Sequence, residues 1–308
     1  MGHYFVKGMI NGLYERSDDV LYNTRTKYRI DTETGQLLPY ERLVSRKRIF
    51  NPDHAEVAEL TLAKEWRLAY DEANAELFGG RMPMGGNYKR IPDPAENLRR
   101  SQRRAKKKVF DLIVCNDFDC FVTLTLNPEQ IDRGDYGAIM KRLNAYLDNR
   151  VRRKGLFYLG VPELHKNGGF HFHFLCNSAA LSLADSGTVS CMGHKRPIKI
   201  QTADRLHIKQ DDRHTVYNVT DWKLGFSTAI KTYVSPMAIG HYIGKYITKG
   251  EKVGGRWYYS GGDLRRPIER YSNIEFDTLA EYTYGFEIEG CKYKMLRYDE
   301  GGTAIYGD

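Results

Sequence analysis

Residues 169–175, Gly-Phe-His-Phe-His-Phe-Leu, alternate strictly between large apolar and imidazole side chains. A two-residue period is that of a strand with unlike faces, so His171 and His173 share one face and Phe170, Phe172 and Phe174 share the other. The run from Leu156 to Glu163 also reads as a strand, and Lys166-Asn167-Gly168-Gly169 carries the Asn-Gly chemistry of a hairpin turn. Loop length then decides which residues meet. If Asn167 to Gly169 form the loop, Glu163 stands opposite His173 and His165 opposite His171, all on one face. If only Asn167 and Gly168 do, Glu163 turns to the wrong side unless a bulge corrects it. Glycine at the third loop position favours the first arrangement.

The same reading places the other elements. Phe121 to Leu126 alternates, with Phe121, Thr123 and Thr125 on one face, and ends at Asn127-Pro128. Asp135 to Lys154 has helical spacing through Ile139, Leu143, Tyr146, Leu147 and Val151. This strand, helix, strand, strand order suits a sheet with helices packed on one side. Residues 178–215 have no clear period; strands follow at Val216–Asp221 and Phe226–Thr232. In the run from Ser235 to Gly250, Ser235 suits the N-cap, Pro236 the first helical position and Gly250 the left-handed C-terminal position. Ile239, Ile243 and Ile247 form its apolar stripe; Tyr242, Tyr246 and Lys249 form the next, with Lys245 beside Tyr242. Nearer the start, a turn at Asp31 to Gly35 lets residues 27–30 and 36–38 pair, residues 54–78 have helical spacing, and residues 81–94 read as a loop.

Charge adds a partner class. Forty-seven Lys and Arg against thirty-nine acidic residues give a net charge of +8, which fits a polyanionic partner. Much of the excess lies in Asn97 to Lys108 (NLRRSQRRAKKK), which reads either as a solvated basic helix face or as a helix whose Arg99, Arg100, Arg103 and Arg104 contact phosphates. The five cysteines are scattered and never spaced CxxC, which suggests reduced thiols in a cytoplasm. No apolar run approaches about 18 residues and the N-terminus lacks signal-peptide form, so the expectation is a soluble cytoplasmic protein without membrane contact.

The chemistry lies in two places. His171, His173 and a carboxylate from the neighbouring strand make a mixed nitrogen and oxygen donor set, suited to a divalent cation that keeps positions open for substrate oxygens. A metallohydrolase HxHxD signature would need Asp where Leu175 stands. The two phenols, one helical turn apart, point the same way.

Phe121-Val122-Thr123-Leu124-Thr125-Leu126, His171-Phe172-His173 and Tyr242-Ile243-Gly244-Lys245-Tyr246-Ile247-Thr248-Lys249, in this order, resemble the three motifs of the HUH endonuclease superfamily. The paired tyrosines are similar to those in rolling-circle replication initiators of small single-stranded DNA phages and related plasmids. The likeness covers roughly residues 110–270, including Arg256 to Ser260 and Arg266-Pro267. It implies an α+β fold in which a central antiparallel, about five-stranded HUH/RRM-like sheet is flanked by helices. It also implies Mg²⁺ or Mn²⁺ on His171 and His173, with Glu163, or alternatively His165, completing the set. Tyr242 and Tyr246 would nick and rejoin single-stranded origin DNA through a 5′-phosphotyrosine, with Lys245 and Lys249 assisting and Thr123 and Thr125 facing the DNA.

The organisation expected from this is a partly helical N-terminal accessory region (1–95), an endonuclease domain (96–270, entered through basic residues 97–108) and a C-terminal extension packed on it (271–308). With no GxxxxGK[ST] loop and no room for a helicase module after residue 270, a host helicase and polymerase are expected partners. The alternatives are an HUH relaxase or transposase, and a non-catalytic nucleic-acid-binding protein. Relaxases carry three histidines and an N-terminal tyrosine, and transposases of this type usually one tyrosine, so the pair weighs against both.

Overall fold

The computed structural model of the protein describes residues 6–10, 13–16, 21–50, 94–132, 135–164, 170–191, 193–194, 196–249, 256–288 and 290–307. In chain order the elements begin with strands β1 (Val6–Ile10), β2 (Leu13–Arg16), β3 (Thr24–Ile30) and β4 (Leu37–Ser45), then helix α1 (Pro94–Cys115), β5 (Cys120–Thr125), α2 (Tyr136–Lys154), β6 (Tyr158–Leu164) and β7 (Phe170–Cys176). They continue with β8 (Leu183–Cys191), β9 (Ile198–Lys199), α3 (Ile200–Arg205), β10 (Arg213–Val219), β11 (Ser227–Lys231) and α4 (Pro236–Lys249). The last are β12 (Tyr259–Gly261), β13 (Ile268–Ser272), β14 (Tyr284–Ile288), β15 (Cys291–Tyr298) and β16 (Ala304–Ile305). Two compact units result, Pro92–Arg266 and Met1–Ile91 with Pro267–Asp308.

In the central unit one antiparallel sheet runs β12-β6-β7-β5-β11-β10-β8-β9. It has eight strands where about five were expected. The extra ones are short or polar: β8 (LADSGTVSC) and β9 fall in the segment without a clear period, and β12 is only three residues. Their strand form comes from pairing with neighbours, not from alternation of their own.

Helices lie on both faces of this sheet, not on one. On the first, Ile139, Leu143 and Leu147 of α2 join Val122, Leu124, Phe172 and Phe174 in one core. Asp135 caps α2, its carboxylate accepting from the backbone N–H of Ala138 at 2.9 Å. On the second, Ala105, Val109 and Ile113 of α1 and Ile239, Ile243 and Ile247 of α4 bury Leu159, Val161 and Leu175. Each fully buried isoleucine or leucine contributes about 1.5–3 kcal/mol relative to exposure, so the stripe read from the sequence is what holds α4 down. Gly240 lets the two helices approach: a Cβ there would lie 2.7 Å from the Phe110 ring.

The other unit has a sheet in the order β13-β3-β4-β15-β14, with β16 on β15, and a separate β1-β2 ribbon. The hairpin expected around residues 31–35 is present, with Arg29 opposite Leu38 and Ile30 opposite Leu37, and Asp31 accepting from the N–H groups of Glu33 and Thr34. Pro267–Asp308, of which residues 271–308 were expected as a C-terminal extension, supply β13, β14, β15 and β16 to this sheet. The described part of the N-terminal region is therefore β, and the helix read at residues 54–78 lies outside the described residues. All five cysteines are buried. Among the described residues no helix is long and apolar enough to cross a membrane.

Charge is buried at the middle of the second sheet. Glu41 lies opposite Lys27 on one side and Arg297 on the other, with Nζ at 3.9 Å and Nη1 at 3.1 Å from its carboxylate, and both Lys27 and Glu41 are almost wholly buried. Removing one partner of a buried ion pair costs about 3–5 kcal/mol, because the remaining charge loses its compensation without regaining water. Glu41→Gln is therefore expected to destabilise the protein by about 3 kcal/mol in urea unfolding, well beyond the change from Glu33→Gln in the exposed turn.

Candidate metal and tyrosine site

Strand β7 changes character along one face. Leu175 at its C-terminal end is fully buried under α1 and α4, His173 is buried at the margin of that cover, and His171 is half-buried beyond it. The cross-strand partners change in step: Leu159, Val161 and Glu163 on β6, and Phe121, Thr123 and Thr125 on β5. One edge of the second core thus becomes a polar corner without the strands leaving the sheet.

The register differs from the expected one by two residues. Leu164 pairs with Phe170, so five residues, His165 to Gly169, separate the last paired positions, and Glu163 stands opposite His171 instead of His173. An even shift preserves the face. Glu163 still shares a side with both histidines and reaches diagonally to His173, Oε2 to Nε2 at 2.7 Å. His165, the alternative third ligand, lies outside the described residues.

His173 is held at both ring nitrogens, with Thr123 Oγ1 3.1 Å from Nδ1. Burial, the largest influence, lowers its pKa below the ordinary histidine value, while the Glu163 bond and charge pull the other way. We therefore read the contact with Glu163 as a hydrogen bond from a neutral imidazole, and not as an ion pair: Nε2–H donates to the carboxylate and the Thr123 hydroxyl donates to Nδ1. Neutral imidazole is also the form that ligates metals. A threonine hydroxyl can equally accept from Nδ1–H, the tautomer that frees the Nε2 lone pair for a cation.

Helix α4 brings the tyrosines to this corner. The Ser235 hydroxyl accepts from the Ala238 N–H at 3.2 Å, as an N-cap should. With the isoleucine stripe down, Tyr246 packs on His173 (ring centroids 4.6 Å apart) and Tyr242 meets the edge of Phe121 (6.0 Å). The two hydroxyls are hydrogen-bonded to each other at 2.7 Å. Tyr246 is half-buried and its pKa is raised, first by burial, then by the bond to Tyr242 and the charge of Glu163; Tyr242 is 47 % exposed. Lys245 and Lys249 are on the same helix, but their side chains lie outside the described ones.

His173, Glu163, Thr123, Tyr242 and Tyr246 are thus in one contact network. His171 is beside it, its ring 6.5 Å from that of His173, and Thr125 is opposite His171. Among the described residues, no three His, Cys, Asp or Glu side chains are gathered at metal-binding distances. The donor set nevertheless suits a divalent cation. Adjacent ligands of an octahedral ion with bonds of about 2.1 Å are about 3.0 Å apart, so His173 Nε2 and Glu163 Oε2 need open only slightly to become neighbours on it. On α1, Ala105, Val109 and Ile113 form the stripe that packs on α4, while Arg99, Arg103 and Arg104 are exposed and Arg100 is half-buried. Phe121 is a residue that motif reading left without a role: its ring stacks on His173 (5.7 Å, 14° between planes) and touches Tyr242. Its place two positions before Thr123 on the same face was the available signal.

Residues 119–251, less than half of the chain, match the family model described as replication-associated protein ORF2/G2P. This segment runs from β5 to the end of α4 and so contains every residue of the network. The segment is similar to replication-associated proteins, and replication initiation is the coarse role it supports. No curated protein and no solved structure matched the chain.

The Thr123 bond makes a testable difference. Thr123→Val keeps the side-chain volume but removes the partner of Nδ1, and Mn²⁺ affinity measured by calorimetry is expected to fall about tenfold or more, with an unchanged circular dichroism spectrum.

Proposed function

We propose that the protein is a rolling-circle replication initiator of the two-tyrosine HUH type, nicking and rejoining single-stranded origin DNA. The observation that carries this reading is the convergence of Tyr242 and Tyr246 on His173, from a helix and a strand some seventy residues apart in the chain. The family match to the same segment supports it.

The chemistry is transesterification. A phenolic oxygen bonds to the scissile phosphorus, the bond from phosphorus to the 3′ oxygen breaks, and that oxygen takes a proton to become the primer 3′-OH. The phenol keeps the 5′-phosphate. Because one ester replaces another, its energy is retained for rejoining. A divalent cation held by His171, His173 and Glu163 would polarise the phosphate and neutralise the charge that develops on it. Thr123 and Phe121 fix the imidazole of His173, and the proton of the attacking Tyr242 leaves through the Tyr246 hydroxyl bonded to it, toward the Glu163 carboxylate or solvent. Lys245 and Lys249 supply positive charge on the tyrosine helix.

The phenols differ in access. Tyr242 is the more exposed and is assigned the first attack; Tyr246, kept protonated by its surroundings, is the reserve that cuts the regenerated origin and releases the first link. An unpaired strand is needed, so duplex opening and synthesis fall to host helicase and polymerase.

Incubating the protein with Mn²⁺ and the single-stranded DNA of the replicon that encodes it is expected to yield a covalent band on denaturing gels. EDTA should prevent the band, the Tyr242→Phe/Tyr246→Phe double variant should lack it, and Tyr242→Phe should reduce it more than Tyr246→Phe. A band that persists in the double variant would overturn the assignment.

A further inference from the structure

We infer that the strip of the central sheet running from His171 through Thr125 to Phe226, beyond the cover of α1 and α4, binds the single-stranded DNA flanking the scissile phosphate, with the Phe226 ring as a stacking platform for a base. The inference rests on the nicking reading and extends it by saying where the strand lies.

The register fixes the strip. Thr228 of β11 pairs with Thr123 of β5, and the Thr125 N–H donates to the Phe226 carbonyl at 2.8 Å, so Phe226 follows Thr125 and His171 in one row on the tyrosine face. Strand spacing puts it about 10 Å across the sheet from His171, within reach of a nucleotide or two from the cut. Continuing the β10 pairing sets Asn218 beside Thr228.

At the other end of these strands the same face is apolar, with Leu175, Phe121 and Ile230 in its row, and Leu175 and Phe121 lie in the core formed by α1 and α4. At the strip it is polar: His171 and Thr125 are half-buried, Thr228 and Asn218 are exposed, and the Phe226 side chain is 77 % exposed.

That ring is held in place by a tightly built turn. Gly225 has φ +156°, and a Cβ on it would lie 2.1 Å from the Thr125 carbonyl oxygen, so no other residue fits without moving β5. The Asn127 N–H donates to the Leu224 carbonyl at 2.8 Å, and the buried Trp222 indole donates to the Thr125 carbonyl at 3.3 Å. A fixed turn thus presents a phenyl ring to solvent beside the candidate site.

The chemistry selects the occupant. Unpaired bases offer faces that stack on an aromatic ring whatever the sequence, while a duplex hides them. Threonine and asparagine side chains donate to phosphate oxygens, and the exposed Lys223 in the same turn adds positive charge.

The test uses the Tyr242→Phe/Tyr246→Phe protein, so that binding is read without cutting. Fluorescence anisotropy with labelled oligothymidylate is expected to show affinity reduced about tenfold by Phe226→Ala and restored by Phe226→Trp. An abasic oligomer of equal length should bind both forms alike, with an unchanged salt dependence, because the phosphate contacts remain. That loss of discrimination between base and no base is something a merely structural role would not produce. If Phe226→Ala binds oligothymidylate as tightly as its parent, or changes only the oligomeric state, the strip is not a DNA surface, whereas adduct formation by the unaltered protein would still stand. If the unaltered protein forms no adduct while binding still depends on Phe226, the nicking assignment fails and the strip remains.

Discussion

The central unit depends on how much of one sheet face two helices can cover. Strand β7 is apolar on its α2 side, while on the other side Leu175 is sealed beneath α1 and α4 and the histidines emerge where that cover stops. An imidazole can tolerate this margin. It is apolar enough to pack against Phe121 and Tyr246, yet both nitrogens must find partners, and Thr123 and Glu163 provide them. A fully covered strand would bury the site, and a bare one would lose the burial that favours the neutral form of His173. The isoleucines of α4 therefore do two things at once: they close the core and set the height at which the phenols meet the strand.

Much of this corner was legible in the sequence, for a definite reason. Alternation and helical spacing determine which way a side chain points even when pairing partners are misjudged. The hairpin loop is two residues longer than its Asn-Gly signal suggests, so every cross-strand partner of β7 on β6 moved, but an even shift left Glu163, His171 and His173 on one face. Likewise the spacing of Tyr242 and Tyr246 survives any error in the helix ends. What local pattern could not reveal was anything made by contact at a distance: Phe121 stacking on His173, the second helix layer, or strands such as β8 that are held by a neighbour.

The second sheet shows this limit most clearly. Strands β3 and β4 pair through a local turn and were visible; their partners β13 and β15 lie more than two hundred residues away and carry no motif. Buried Lys27 and Glu41 also mislead a reading by hydropathy, since charges at those positions suggest an exposed face until Arg297 and its strand are in view.

This arrangement bears on the order in which the protein is made. Both outer edges of the β3-β4 hairpin are filled by strands that leave the ribosome after the central unit, which is contiguous and complete once residue 266 has emerged. At about 5–20 residues per second, the hairpin waits about ten seconds or longer with two unpaired edges and a buried-type glutamate still in water. The central unit can thus fold before the β3-β4 hairpin has gained either of its partner strands, so the two halves of the molecule mature in the reverse of their order along the chain.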